Sequence, residues 1–156
     1  MRAKKASKRK LNPDLKYHSV TVEKFINKVM LRGQKETARI LVYKAFDIIK
    51  GETKKEPLEV FESALKNTSP LLEVKPRRIG GATYQVPVEI SPDRRETLAM
   101  RWIIAAARRQ SGGAFEKLLS QEILAAFQNT GTSIKQKENM HRMAEANKAF
   151  AHYARF

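Results

Sequence analysis

The sequence predicts a mainly α protein: a bundle of about six helices with an extended two-stranded β-hairpin between helices three and four. Three observations carry this. Apolar residues recur at the i, i+3, i+4, i+7 spacing of a helix face through most of the 156 residues. Between Glu73 and Ile90 the period drops to two, with Gly80-Gly81 at the centre of the stretch. No linker-like run and no internal repeat divides the chain. Residues 1–156 therefore read as a single domain, with a basic flexible arm at 1–12 and a projecting hairpin at 72–90.

Ser19 stands where a helix cap belongs, and Val22, Phe25, Ile26, Val29 and Met30 share one face until Gly33 ends the helix. Ala38, Leu41, Val42, Ala45, Phe46 and Ile49 repeat the pattern up to Gly51, and Glu52 to Glu56 reads as a polar loop. Pro57 opens the third helix, because a first-turn proline lacks only an N–H that has no partner there. Leu58, Phe61, Ala64 and Leu65 face inward, and Ser69-Pro70 closes that helix. In the hairpin, Tyr84, Val86, Val88 and Ile90 alternate with Gln85, Pro87 and Glu89. Pro76 and Pro87 cannot donate to a ladder, so both strands are edges. A lone hairpin must then lean on helices or project as an arm.

Ser91 and Pro92 start a fourth helix with Leu98, Trp102, Ala105 and Ala106 inward and Trp102 in the core. After Gly112-Gly113, the residues Phe115, Leu118, Leu119, Ile123, Ala126 and Phe127 mark a fifth helix ending at Gly131. Ser133 with Gln136 makes a capping box for a sixth, which runs on to Tyr153 and places Met140 and Met143 in the core.

Charge narrows the function. Against 31 Lys+Arg stand 16 Asp+Glu, a formal net charge of +15. Such a chain repels itself unless an anion neutralises it. Nucleic acid is the commonest polyanionic partner, because each neutralised phosphate releases condensed counterions. An acidic membrane surface is the rival. No apolar run approaches the roughly 18 residues of a spanning helix, so the chain does not cross a bilayer. The absence of cysteine excludes disulfides and thiolate metal sites. Arg2, Lys4, Lys5, Lys8, Arg9 and Lys10 are followed by no apolar stretch, unlike a secretory signal. They fit a nucleic-acid-binding arm or a solvated terminus.

Nothing in the sequence carries catalysis. His141 and His152, eleven apart, would lie roughly 16 Å apart along one helix, too far for one metal ion. HExxH, CxxC and GxSxG are absent, and Arg78-Ile79-Gly80-Gly81-Ala82-Thr83 lacks the Lys-[Ser/Thr] ending of a phosphate loop. The chain is expected to be neither an enzyme nor a cofactor or metal binder, and to have no small-molecule substrate.

The fourth helix is different. Arg94, Arg101 and Arg108 are seven apart and line one stripe, with Arg95 and Arg109 beside them. Asp93 and Glu96 are too few to neutralise five arginines, and arginine grips phosphate in two-pronged fashion. Lys75 and Arg77 share a face of the hairpin, and Arg78 lies near its tip with Gly80 and Gly81. Tyr84 either stacks on a base or packs against the body. Lys28, Arg32 and Lys35 add charge around the first interhelical loop, and Lys135, Lys137, Arg142 and Lys148 add it to the last helix. Grip from several separated elements fits a folded RNA better than duplex DNA, which one compact element usually reads along a groove. A duplex-DNA binder and an RNA-acting enzyme are the alternatives.

Two long motifs then carry a resemblance: Arg77-Arg78-Ile79-Gly80-Gly81-Ala82-Thr83-Tyr84-Gln85-Val86-Pro87, and His141-Arg142-Met143-Ala144-Glu145-Ala146-Asn147-Lys148-Ala149-Phe150-Ala151-His152-Tyr153. From Pro13 to Tyr153 the chain closely resembles the bacterial form of the small-subunit ribosomal protein seven family. One departure is Gly33-Gln34-Lys35, where the family usually carries a lysine in place of Gln34. The resemblance implies a six-helix bundle that binds the 3′ major domain of small-subunit ribosomal RNA and nucleates assembly of the subunit head. It implies a hairpin that reaches the exit site for transfer RNA, near the path of messenger RNA, and small-subunit ribosomal proteins nine and eleven as neighbours. It further implies RNA contacts for Lys35, Arg77, Arg78, Arg94, Arg95, Arg101, Arg108, Arg109, Arg142 and Lys148. The location it implies is the ribosome, in a bacterial cytoplasm or an organelle of bacterial descent.

Overall fold

A computed structural model describes residues 10–155. The candidate arm residues Arg2, Lys4, Lys5, Lys8 and Arg9 lie outside the described residues. Helices α1 (Val20–Val29), α2 (Lys35–Thr53) and α3 (Pro57–Thr68) precede strands β1 (Leu72–Ile79) and β2 (Ala82–Glu89). Helices α4 (Pro92–Arg109), α5 (Phe115–Phe127) and α6 (Gly131–Ala146) follow, and then a 3-10 helix, Lys148–Arg155. The predicted class, a helical bundle with an antiparallel hairpin between its third and fourth helices, is the one observed.

The core forms where the apolar stripes meet. Phe25 of α1, Phe46 of α2 and Phe61 of α3 are fully buried, with ring centroids 4.8 Å apart for Phe25–Phe61 and 5.3 Å for Phe46–Phe61. Burying each such ring stabilises the fold by about 1.5–3 kcal/mol. Helix α5 packs against α2, α3 and α4 and delivers Leu119, Ile123 and Ala126 to this centre. Ahead of α1, the buried Asp14 ties the chain down. Its carboxylate accepts the backbone N–H groups of Lys16 (3.1 Å) and Tyr17 (3.0 Å) and the Tyr43 hydroxyl (2.7 Å). Burial, and then Asp14, push the Tyr43 phenol up to about 12.

Several boundaries differ from those predicted. Helix α1 ends at Val29 rather than at Gly33, because Met30 turns to extended backbone. Helix α2 runs through Gly51 to Thr53 and stops where Lys54 adopts a left-handed conformation, φ +55°. A single exposed glycine costs only about 1 kcal/mol in a helix, and the amphipathic face through Ile49 outweighs it. The last helix divides at Asn147 into α6 and the 3-10 segment.

The start of α6 also corrects the expected capping box. The helix begins at Gly131, and Ser133 makes no side-chain cap. Instead Glu122, a buried residue of α5, accepts the Ser133 backbone N–H at 2.8 Å. A carboxylate there satisfies an orphan donor and faces the positive end of the helix dipole. Gly131 makes this approach possible: a Cβ on it would meet Ala125 Cβ at 2.9 Å.

In α4 the buried face is Ala99, Met100, Ile103, Ile104 and Ala107, with Leu98 and Ala106 buried beside it. Trp102 is only half-buried and Ala105 is exposed, so the expectation that both face inward fails. Met143 is exposed as well and Met140 half-buried.

The hairpin has the register Lys75↔Val86, Arg77↔Tyr84 and Ile79↔Ala82. Its two turn residues, Gly80 (φ +57°) and Gly81 (φ +92°), both need positive φ, the requirement of the tight turn that matches strand twist. The 3-10 helix lies along β2. Tyr84 packs on Phe150 (5.1 Å between centroids) and Tyr153 (5.7 Å), so the hairpin leans on the chain's own C-terminal segment.

Candidate nucleic-acid interface

Helix α4 positions the main cationic site. Arg101 and Arg108, seven residues apart on one stripe, meet Lys28 of α1 across a cleft of about 500 Å³ completed by Ile104 and Ala105. Among the described residues no carboxylate lines it. Glu96, the acid that could have neutralised it, is held at 2.7 Å by Lys24. Burial, and then the nearby Arg101 charge, hold the Lys28 ammonium below its ordinary pKa. Arg108 is aimed rather than free: its Nη2 donates to the Val29 carbonyl at 2.9 Å, and its guanidinium lies 6.0 Å from the Phe115 ring centroid. Three cations converge here with only Glu96, already shared with Lys24, acting on Lys28 from nearby; that excess is unfavourable in the free protein, and a phosphate would relieve it.

The other arginines of the helix are committed locally to different degrees. Arg94 is exposed but pairs with Glu73 of β1 at 3.4 Å, and Glu73 also holds Lys75 at 2.6 Å. Burial alone would raise the Glu73 carboxyl; Lys75 and Arg94 outweigh it and keep the group below its ordinary range. Arg95 donates its Nε to the Ile90 carbonyl at 2.8 Å, fixing the corner between hairpin and helix. Arg109 is exposed and edges a second, smaller cleft of about 210 Å³ with Trp102, Ala105, Ala106, Thr132 and Gln136. The Trp102 and Gln136 walls of this cleft went unread in the sequence.

On the hairpin, Arg78, Gly80 and Gly81 are exposed at the tip. Arg77 is half-buried, with its Nη2 3.4 Å from the Ala154 carbonyl, and Tyr84 is occupied by Phe150 and Tyr153. Of the remaining candidates, Lys10, Arg32, Lys135, Arg142 and Lys148 are exposed. Lys35 is paired with Glu23, and the Lys137 ammonium donates to the Asn67 carbonyl. A cleft of about 700 Å³ lies under the hairpin base between Leu72, Pro87, Val88 and Ala144, with Lys148 on its rim. There His141 Nε2 accepts the Leu71 N–H at 3.0 Å, and burial, then Lys137, keep that imidazole below its ordinary pKa.

Fold and clefts together define a class: a helical binding protein with a cationic face. The family model for ribosomal protein S7p/S5e matches residues 1–148. The small ribosomal subunit protein uS7 of Thermotoga petrophila is 58% identical over 153 residues, covering 98% of this chain and 99% of the relative. That of Chloroflexus aggregans is 57% identical, covering 95% and 94%, and that of a Roseiflexus species is 56% identical, covering 92% of each. The chain belongs to the ribosomal protein S7p/S5e family, whose members are structural, non-enzymatic components of the small ribosomal subunit.

Proposed function

We propose that this protein binds the 3′ major domain of small-subunit ribosomal RNA and nucleates assembly of the subunit head. In this reading it acts as one domain in the cytoplasm. The single observation that supports it best is the cleft of Lys28, Arg101 and Arg108, three convergent cations with no acid among them. The grip is electrostatic. The cleft and the exposed Arg32, Arg94, Arg109, Lys135, Arg142 and Lys148 hold RNA helices in one relative orientation, with Lys35 and Lys137 exchanging protein partners for phosphate. The hairpin tip, with Arg78, Gly80 and Gly81, reaches the transfer-RNA exit site near the messenger-RNA path. Ribosomal proteins nine and eleven are the expected protein neighbours.

Chemical footprinting on intact small-subunit ribosomal RNA tests this. Protection confined to the 3′ major domain is the expected result. Protection spread evenly over RNA and DNA duplexes would instead support a general duplex binder.

A further inference from the structure

We propose that a single-stranded segment of RNA crosses α4 over Ala105, with an unpaired base stacked on Trp102 and a neighbouring phosphate held by Lys28, Arg101 and Arg108. This rests on the RNA-binding reading above and deepens it. The two clefts of α4 share one wall. Ala105 lines both, and it is exposed. Helical geometry explains why: 101, 104 and 108 lie on one flank of residue 105, and 102, 106 and 109 on the other. A methyl group at the ridge leaves both flanks open. The whole helix is only about 10 Å across, within reach of neighbouring nucleotides of one strand.

The chemistry of the flanks differs as the chemistry of a nucleotide does. One holds three cations and, among the described residues, no acid. The other holds an indole, with the Thr132 hydroxyl, the Gln136 amide and the Arg109 guanidinium around it. Among the described residues none of those three polar side chains has a hydrogen-bond partner. A hydroxyl and an amide can pair with a base edge, and a base stacks on an aromatic face whatever its identity. A tryptophan that is half-buried beside alanines, when the core next to it is closed by Met100 and Ile103, is placed for such stacking.

The experiment uses the full chain and a transcript of the 3′ major domain of small-subunit ribosomal RNA. The chain has 1 tryptophan, so emission at indole wavelengths reports Trp102 alone. Emission should be quenched on complex formation. Trp102→Leu should weaken binding by roughly 5- to 150-fold, the range for loss of one stacked base. Ala105→Met, at an exposed position that leaves the core alone, should weaken binding and reduce the quench even if the tryptophan variant fails to fold. A complex that forms with unchanged emission, or Ala105→Met binding within about twofold of wild type, overturns the proposal while the RNA-binding reading stands. If no complex forms in a gel-shift assay, that reading fails and this one with it.

Discussion

Replacing Lys28 and Arg101 together with methionine tests whether the α4 cleft meets phosphate. The logarithm of affinity falls with the logarithm of salt by about 0.7 per phosphate contact on single strands and about 0.9 on duplex. Two lost contacts should flatten that slope by roughly 1.4–1.8. Between 50 and 200 mM salt, the salt-induced loss of affinity should then shrink by roughly 7- to 12-fold. The fold should tolerate the change, because the pair sits in mutual repulsion and the nearby Glu96 keeps its partner Lys24. Filter binding at five or six salt concentrations gives the slope, and a thermal melt confirms folding. Lys16→Met is the control: that lysine is neutralised by Asp47 at 3.0 Å, so its slope should not move. A double variant whose slope stays within about 0.3 of wild type would refute the reasoning, even if its affinity dropped.

Two further outcomes follow from other residues. Glu122→Leu strands the Ser133 N–H and removes the anion at the start of α6, a loss of roughly 2–4 kcal/mol. At this size that lowers the melting temperature by about 4–16 °C, and Glu122→Gln, which keeps the acceptor, should lose less than half as much. A Leu variant melting within about 2 °C of wild type would show the cap to be dispensable. For Glu73, whose folded pKa is depressed, the stabilisation is present above the ordinary carboxylate range and is lost as pH falls through the folded value. Melts of wild type between pH 7 and pH 3 should therefore lose stability more steeply than those of Glu73→Gln. Because Lys75 and Arg94 are about half exposed, the difference should be no more than about 1 kcal/mol. Parallel curves would rule the ion pairs out as a source of acid sensitivity.

Much of the fold was legible because local signals agreed with the final packing. Pro57, Ser69-Pro70 and Ser91-Pro92 mark real helix ends, and the alternation from Tyr84 to Ile90 marks a real strand. What was not legible depended on partners distant in sequence or on ambiguous periodicity. In α4, Trp102 and Ala105 compete with Ala99, Met100, Ile103 and Ile104 for the inward direction, and alanines on nearly every side leave the phase undetermined. The cap of α6 comes from Glu122, eleven residues upstream on another helix, so a local Ser–Gln pair imitated it. At the site, the arginine stripe could be read directly. Its division into the aimed Arg108, the tethered Arg94 and Arg95, and Arg101, which has no partner among the described residues, could not, since Val29, Glu73 and Ile90 make that division only after folding.

The aromatic contact between Tyr84 and the C-terminal 3-10 helix bears on the order of events during synthesis. Strands β1 and β2 are neighbours and can pair as soon as they emerge. The segment that steadies them arrives much later: Arg77 and its acceptor Ala154 are 77 residues apart. At roughly 5–20 residues per second, the nascent hairpin spends about 4–15 s without its prop. The aim of the tip is thus among the last features of the molecule to be set, after the core that carries it has closed.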